Sequence, residues 1–289
     1  MGNRRPRRSL AVVLSLVLAA VSLVGFAGSD AERPLVLRVL QMNLCNSGKA
    51  SCYTGRALAQ AAAVIRAERP DVVTLNEVCH NDIANLGLAM AQAHQGGTVM
   101  TAFQHAFNDY ADRPVECRDG QQFGNGLLVH VPGPDGTYLR YGGIYPMQHA
   151  RDELRAWLCL NVIDEFYACT THLSQGANAT ARAQCEYLVG TAIPAVRTSA
   201  ESLPTIIGAD LNLGIADAGP CGKPGYAHVD DGSLQHILAS AELRVHSTRV
   251  IDMRGATDHP GLLAVLGTSG PPQVVQVKRP QLGEGSLDG

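Results

Sequence analysis

Aromatic side chains are scarce in this sequence: a single Trp and five Phe are spread along the chain, and no loop concentrates them. Nothing therefore marks a surface shaped to enter a lipid interface. Past the first eight residues there is no basic run, so a strong, sequence-blind grip on a polyanion is not advertised. The cysteines lack the closely spaced pairs of structural zinc sites, which argues against a zinc-stapled fold. Internal repeats and long linkers are missing too, which excludes a solenoid and a string of small domains.

What is present begins with an export signal. Arg4, Arg5, Arg7 and Arg8 precede an uncharged apolar run from Leu10 to Phe26, and the small residues Ala27, Gly28 and Ser29 follow. Residues 1–29 thus read as a signal peptide removed near Ser29; an uncleaved anchor, at the short end of what spans a bilayer, is the alternative. Loss of the four arginines lowers the basic count from 23 to 19 against 26 acidic side chains, a formal charge of −7. The expected destination is extracellular, and the cysteines agree with it. All eight, Cys45, Cys52, Cys79, Cys117, Cys159, Cys169, Cys185 and Cys221, lie beyond the leader, and their even number reads as four disulfides. Cys45–Cys52 closes a short loop, and Cys159–Cys169 flanks a hairpin turning near Asp164 and Glu165. The remaining four are assigned as Cys79–Cys117 and Cys185–Cys221.

Residues 33–268 suffice for one large α/β core. Residues 269–289, with Gly270, Pro271, Pro272 and Pro280, have lost apolar periodicity and read as a disordered tail. Strands are expected at Leu35–Met42, Asp71–Val78, Gly126–Val131, Thr137–Tyr141, Arg155–Val162, Phe166–His172, Thr205–Asp210, Leu234–Ala239, Leu243–Met253 and Leu262–Leu266. One helix is expected from Gly55 to Arg69, capped by Thr54 and stopped by Pro70. A second runs from Ala177 to Ala200 with an interruption at Pro194. Gly124, Asn125 and Gly126 read as a tight turn leading into a strand. Many strands with few helices imply an α+β fold, two packed sheets with helices outside.

Polar residues sit where these strands end. Asn43 closes the first, Glu77 the second, His172 follows Tyr167–Thr171, Asp210 and Asn212 follow Thr205–Ile207, and Asp258 and His259 precede the last. Singly, each is as well explained by solvation or capping. His80, His105, His130, His149, His228 and His246 have no spacing that makes a metal site.

Together, Leu37–Leu44 with Asn43, Arg69–Val78 with Glu77, Thr170–Leu173 with His172, Ile206–Asn212 with Asp210, and Thr257–Pro260 with Asp258 and His259 stand in one fixed order. In this order they resemble the endonuclease/exonuclease/phosphatase superfamily, the deoxyribonuclease-I-like fold, from about Leu35 to Leu266. The resemblance implies a four-layer α/β/β/α sandwich of two mainly antiparallel sheets. It also implies a monomer, without a stable protein partner, that hydrolyses a phosphodiester.

By the same resemblance Glu77 is the principal ligand of a divalent ion, Mg2+ with Mn2+ or Ca2+ as alternatives. Asn43 lies beside it as a further ligand or as a partner of the ligands, and Asp258 assists the metal region. His259 acts as general base or organises the attacking water, and Asp210 orients or deprotonates that water. His172 and Asn212 hold phosphoryl oxygens. Hard oxygen donors suit such an ion. Arg155, at a strand start, is a candidate contact to substrate phosphate through its bidentate guanidinium.

Two residues depart from the family pattern. Gln235 occupies the place of an aspartate that braces the catalytic histidine, with Asp252 as an alternative brace. Asn76 stands where glutamine is frequent, a change expected to matter little. The expected substrate is nucleic acid; the alternatives are a sphingomyelinase or phospholipase-like enzyme, a small phosphate-ester phosphatase, and a catalytically weakened binding module, for which Gln235 is the argument.

Overall fold

Both faces of the first strand are apolar, and that places it in the middle of the molecule. In the computed structural model, which describes residues 35–134, 136–197, 203–221 and 225–268, β1 (Val36–Asn43) sends Leu37 and Val39 to one side and Leu40 and Met42 to the other. The expected signal peptide and C-terminal tail lie outside the described residues.

The chain continues as α1 (Ala57–Glu68), β2 (Val72–Cys79), α2 (His80–Ala93), β3 (Thr98–His105), a small ribbon of β4 (Phe107–Asn108) and β5 (Arg113–Pro114), β6 (Phe123–Val131), β7 (Tyr138–Ile144), β8 (Ala156–Val162) and β9 (Phe166–His172). It ends as α3 (Asn178–Tyr187), α4 (Ile193–Val196), β10 (Thr205–Asp210), α5 (Ile215–Ala218), β11 (Tyr226–Asp230), β12 (Gln235–Ser240), β13 (Leu243–Ile251) and β14 (Gly261–Thr268).

Two six-stranded sheets result, ordered β13-β14-β1-β2-β6-β3 and β11-β12-β10-β9-β8-β7. Residues of both sheets, among them Val39, Leu127, Leu160 and Ile206, form the core between them. A second core seals α1 and α2 onto the first sheet through Ile65, Leu86 and Met90, and a third seals α3 and α4 onto the other through Leu188 and Ile193. This is the α/β/β/α sandwich. Among the described residues only β1–β2 and β9–β10 are parallel; the other named pairings run antiparallel.

Three local expectations change. Thr54 does not cap α1: its hydroxyl accepts from Arg56 N–H at 3.1 Å, one residue before the helix, which begins at Ala57 with no side-chain cap. The helix after Asn178 runs through Pro194, because a π turn over Leu188–Ala192 widens the backbone just ahead of the ring that supplies no N–H. Gly124 and Gly126 are not a turn but lie inside β6. A Cβ on Gly124 would collide with the backbone carbonyl oxygen of Gln104, so close approach of β3, not turning, demands glycine there, while one on Gly126 would press on the end of the Ile83 side chain.

The four disulfides are Cys45–Cys52, Cys79–Cys117, Cys159–Cys169 and Cys185–Cys221. Cys159 and Cys169 face each other in register across β8 and β9.

Candidate active site

Parallel pairing forces the carboxyl ends of neighbouring strands to one sheet edge, and each half of this sandwich contains one such pair. In the first sheet Asn43 is level with Asn76, and in the second His172 is level with Asp210. Antiparallel neighbours begin where these strands end, so Gln235 at the start of β12 stands opposite Asp210. Arg155 immediately precedes β8, and His259 lies just before β14. Strand direction alone therefore delivers side chains from distant parts of the sequence to one edge.

A bulge aims the first carboxylate. The β2–β6 register slips between Leu75 and Val78, and Glu77 within it has φ +54°. The extra residue lets Asn76 remain between the sheets while Glu77 turns outward toward the site. Asn43 Nδ2 donates to Glu77 Oε1 at 2.9 Å and to Asp210 Oδ2 at 3.0 Å, and so joins the two sheets.

Asp210, 1% exposed, is held by donors on every side. Its Oδ2 also accepts from Gln235 Nε2 at 2.8 Å, and its Oδ1 from Asn212 N–H at 3.0 Å. Burial pushes its pKa up, yet the donors that hold its ionised form, Asn43 and the Asn212 amide, oppose this, and the balance lies below the ordinary value. Glu77 goes the other way. Desolvation dominates and raises it, Asn43 opposes, and Glu153 and Asp210 add repulsion.

His172 is neutral: burial first, then the Arg155 charge, lowers its pKa to about 3. Arg155 donates to His172 Nδ1 at 2.9 Å and pairs with Glu153 at 2.7 Å. A guanidinium has no lone pair to offer, so the ring hydrogen is on Nε2, which faces Glu77 Oε1 at 4.0 Å.

His259 Nε2 lies 3.7 Å from both Asp210 Oδ2 and Asp258 Oδ1. Asp258 is at the rim, beside the Cys45–Cys52 disulfide, and also accepts from Thr257 Oγ1. Asn212 has φ +49° and ties its side-chain nitrogen to Leu173 O at 2.8 Å.

The structure thus brings Asn43, Glu77, Arg155, His172, Asp210, Asn212, Asp258 and His259 to one edge. Arg155 is largely covered, and its contacts go to Glu153 and His172. Asp252 is exposed and accepts from Arg254 N–H in its own turn, whereas Gln235 reaches His259.

Sequence reasoning missed the layer beneath. Gln41 Nε2 donates to Asn76 Oδ1 at 2.7 Å and Gln235 Oε1 at 2.9 Å. Asn76 Oδ1 also accepts from Asp210 N–H, and its Nδ2 donates to Asn125 Oδ1 and Thr171 O. Asn76 therefore matters a great deal, since it bonds both sheets under the site. The signal available was a buried-strand pattern interrupted by amides at Gln41, Asn76 and Asn125.

A sequence model of the Endonuclease/Exonuclease/phosphatase family matches residues 40–259. No match is found among curated proteins. Among solved structures, an endonuclease/exonuclease/phosphatase from Beutenbergia cavernae is similar at 20% identity and TM-score 0.58, over 81% of this chain and 72% of that one. The human Nocturnin catalytic domain with bound sulfate is similar at 16% identity and TM-score 0.57, covering 82% and 94%. D. rerio TDP2 complexed with single strand DNA product gives 14% identity and TM-score 0.56, covering 81% and 99%.

Proposed function

Since the chain belongs to the Endonuclease/Exonuclease/phosphatase family, we propose that it is a secreted, metal-dependent hydrolase that cuts phosphodiester bonds in nucleic acid. The observation that carries this reading is the meeting of Asn43 and Glu77 from one sheet with His172 and Asp210 from the other. Secretion is supported by the four disulfides. Among the described residues no helix is long and apolar enough to cross a membrane. Nucleic acid is favoured over other phosphodiesters by the DNA product held in the D. rerio relative.

The residues fit a hard divalent cation. Glu77 is a carboxylate made costly by burial and by its acidic neighbours Glu153 and Asp210, and a cation relieves that cost. Glu77 would hold it, with Asn43 alongside and Asp258 at the rim; Mg2+ suits the oxygen donors, with Mn2+ or Ca2+ as alternatives. Bound there, the ion would offset charge developing on the phosphoryl oxygens.

The protein's own groups divide the remaining work. Asp210, kept ionised, draws the proton from the attacking water, and His259 beside it orients that water. His172, neutral with its hydrogen on Nε2, donates to a phosphoryl oxygen as charge builds. Asn212 steadies a further oxygen, and Arg155 positions His172.

The test is hydrolysis by purified mature protein of plasmid DNA, RNA, sphingomyelin, a chromogenic phosphodiester and a phosphomonoester, with Mg2+ or with chelator. Nucleic-acid cleavage abolished by chelation is expected. Turnover of sphingomyelin alone or of the monoester alone would transfer the enzyme to a sphingomyelinase or phospholipase-like class or to a phosphatase class. Turnover of none would leave a binding module weakened at Gln235.

A further inference from the structure

At the end of β2 opposite Glu77, ligand-type side chains gather that the proposed reaction does not use. Asp71 immediately precedes that strand, and His130 on β6 lies directly across from it. Val72 and Val129 are in register, and His130 N–H donates to Asp71 O at 2.8 Å. Their side chains therefore share one face, the one that carries α2. His94, the residue that ends α2, completes the group, its ring stacked on that of His130 with centroids 3.8 Å apart. One ligand atom from each of Asp71, His94 and His130 lies within 4.8 Å of the others.

Hydrogen bonding sets which nitrogen of each ring is engaged, and a shared ion requires the two stacked planes to open about those bonds. His94 Nε2 is 2.9 Å from Pro70 O, and His130 Nε2 is 2.9 Å from Gly96 O. A carbonyl only accepts, so each Nε2 carries a hydrogen, and Nδ1 is the nitrogen of each ring that remains to bind an ion. His130 Nδ1 is buried without a hydrogen-bond partner among the described residues, in a side chain 8% exposed. A buried acceptor left without a donor needs an explanation. An Nε2–H anchored to a backbone carbonyl is the support that metal-binding imidazoles use to aim their other nitrogen. Asp71 Oδ2 accepts from Arg38 N–H at 2.8 Å, which leaves Oδ1 for an ion, and the carbonyl end of α2 adds partial negative charge.

We propose that Asp71, His94 and His130 bind a divalent transition-metal ion of the Zn2+ class, which staples the end of α2 to β2 and β6. Two imidazoles and one carboxylate select such an ion over Mg2+ and leave a position for water. Glu77 lies six positions along from Asp71, about 20 Å, so the site is structural and independent of the proposed hydrolysis. The His228–Asp230–His236 group differs. Its facing nitrogens, 2.8 Å apart, already share a hydrogen, and no lone pair there is stranded.

The experiment is titration of Mg2+-saturated protein with Co2+, followed by visible absorption, then displacement by Zn2+ and a thermal melt with and without Zn2+. One equivalent of Co2+ with a ligand-field band is expected, displaced by Zn2+, with a melting midpoint raised by Zn2+. H94Q and H130Q should each lose at least tenfold in affinity together with that rise, while H228Q keeps both. His94 is the less buried, so H94Q tests the site even if H130Q fails to fold by circular dichroism. An unchanged band in H94Q, no band in the wild type, or equal loss in H228Q would overturn the assignment.

Discussion

Gln235 holds its side-chain nitrogen 3.3 Å from His259 Nδ1. The direction of this amide is set by its other partners: Gln41 donates to Oε1, and the Asp210 carboxylate requires a donor from Nε2. The neutral tautomer of His259 that this contact permits accepts at Nδ1 and carries its hydrogen at Nε2, toward Asp210 and Asp258. A carboxylate at position 235 would hold the opposite tautomer. The proton from water then falls to Asp210. D210N should lower kcat about a thousandfold and H259A about a hundredfold, within the range of positioned acid and base groups. Histidine 15N shifts should show a bare Nδ1; a protonated Nδ1, or H259A turning over at near wild-type rate, would refute this division of roles.

Arg155 acts on His172 in the same indirect way. Burial, then the guanidinium, keeps His172 down to about 3, so it stays neutral throughout ordinary assay conditions. R155M removes a cation, which moves the His172 pKa upward and frees the ring to take either tautomer. We expect kcat to fall about tenfold to a hundredfold with little change in KM, and the acid limb of kcat against pH to move to higher pH. A loss confined to KM would instead make Arg155 a direct phosphate contact.

How much of this was legible beforehand follows from where the signals reside. Strand-end residues such as Glu77, Asp210 and His259 could be read because they interrupt apolar runs in a fixed order, and the alternation of both sheets followed from the same runs. α2 was not read, because it starts at His80 directly after β2 with no loop between and contains Gly87 in its interior. β3 was missed since it is an edge strand that buries only every second residue. Asn76 and Gln41 stand out as amides in buried strands, but the sequence does not say what they bond, because their partners Thr171 and Gln235 come from the other sheet.

That inter-sheet seam makes Asn76 a stability determinant. In N76A, the Asp210 amide, the Asn125 side chain and Thr171 O would each lose a partner in a fully buried layer. At 1–3 kcal/mol for each stranded group, less relaxation, the cost is about 3 kcal/mol or more. Urea unfolding should show a lower midpoint with an unchanged slope. A loss under about 1 kcal/mol would mean that water replaces the amide.

The histidine pair on β11 and β12 gives the fold an acid-sensitive element. Burial, then His236, lowers the pKa of His228, and burial likewise lowers His236. Above pH ~6.5 neither the folded nor the unfolded chain is protonated at these rings, and they contribute no pH dependence. Below it the unfolded chain takes up protons that the folded one resists, so stability falls with pH. Thermal midpoints of chelator-treated protein should drop between about pH 6.5 and 5, and less steeply in H228Q. Parallel profiles for the two proteins would assign the acid sensitivity elsewhere.

Glu77 links metal, pH and stability in one side chain. Desolvation raises its pKa, so protons compete with the cation, and the Mg2+ needed for half-maximal activity should rise as pH falls. E77Q removes both the ligand charge and the cost of burying it, while the Asn43 bond to Oε1 can persist to the amide oxygen. Opposite effects follow in two measurements. Activity should fall about a thousandfold, in keeping with loss of a metal's charge stabilisation, yet the metal-free variant should melt higher than metal-free wild type at pH 8. Mg2+ should raise the wild-type midpoint, as any ligand of the folded state does, and leave that of E77Q unmoved. A variant that melts lower without metal, or still gains stability from Mg2+, would show that the cation is held by other residues and that Glu77 serves only to order the bulge.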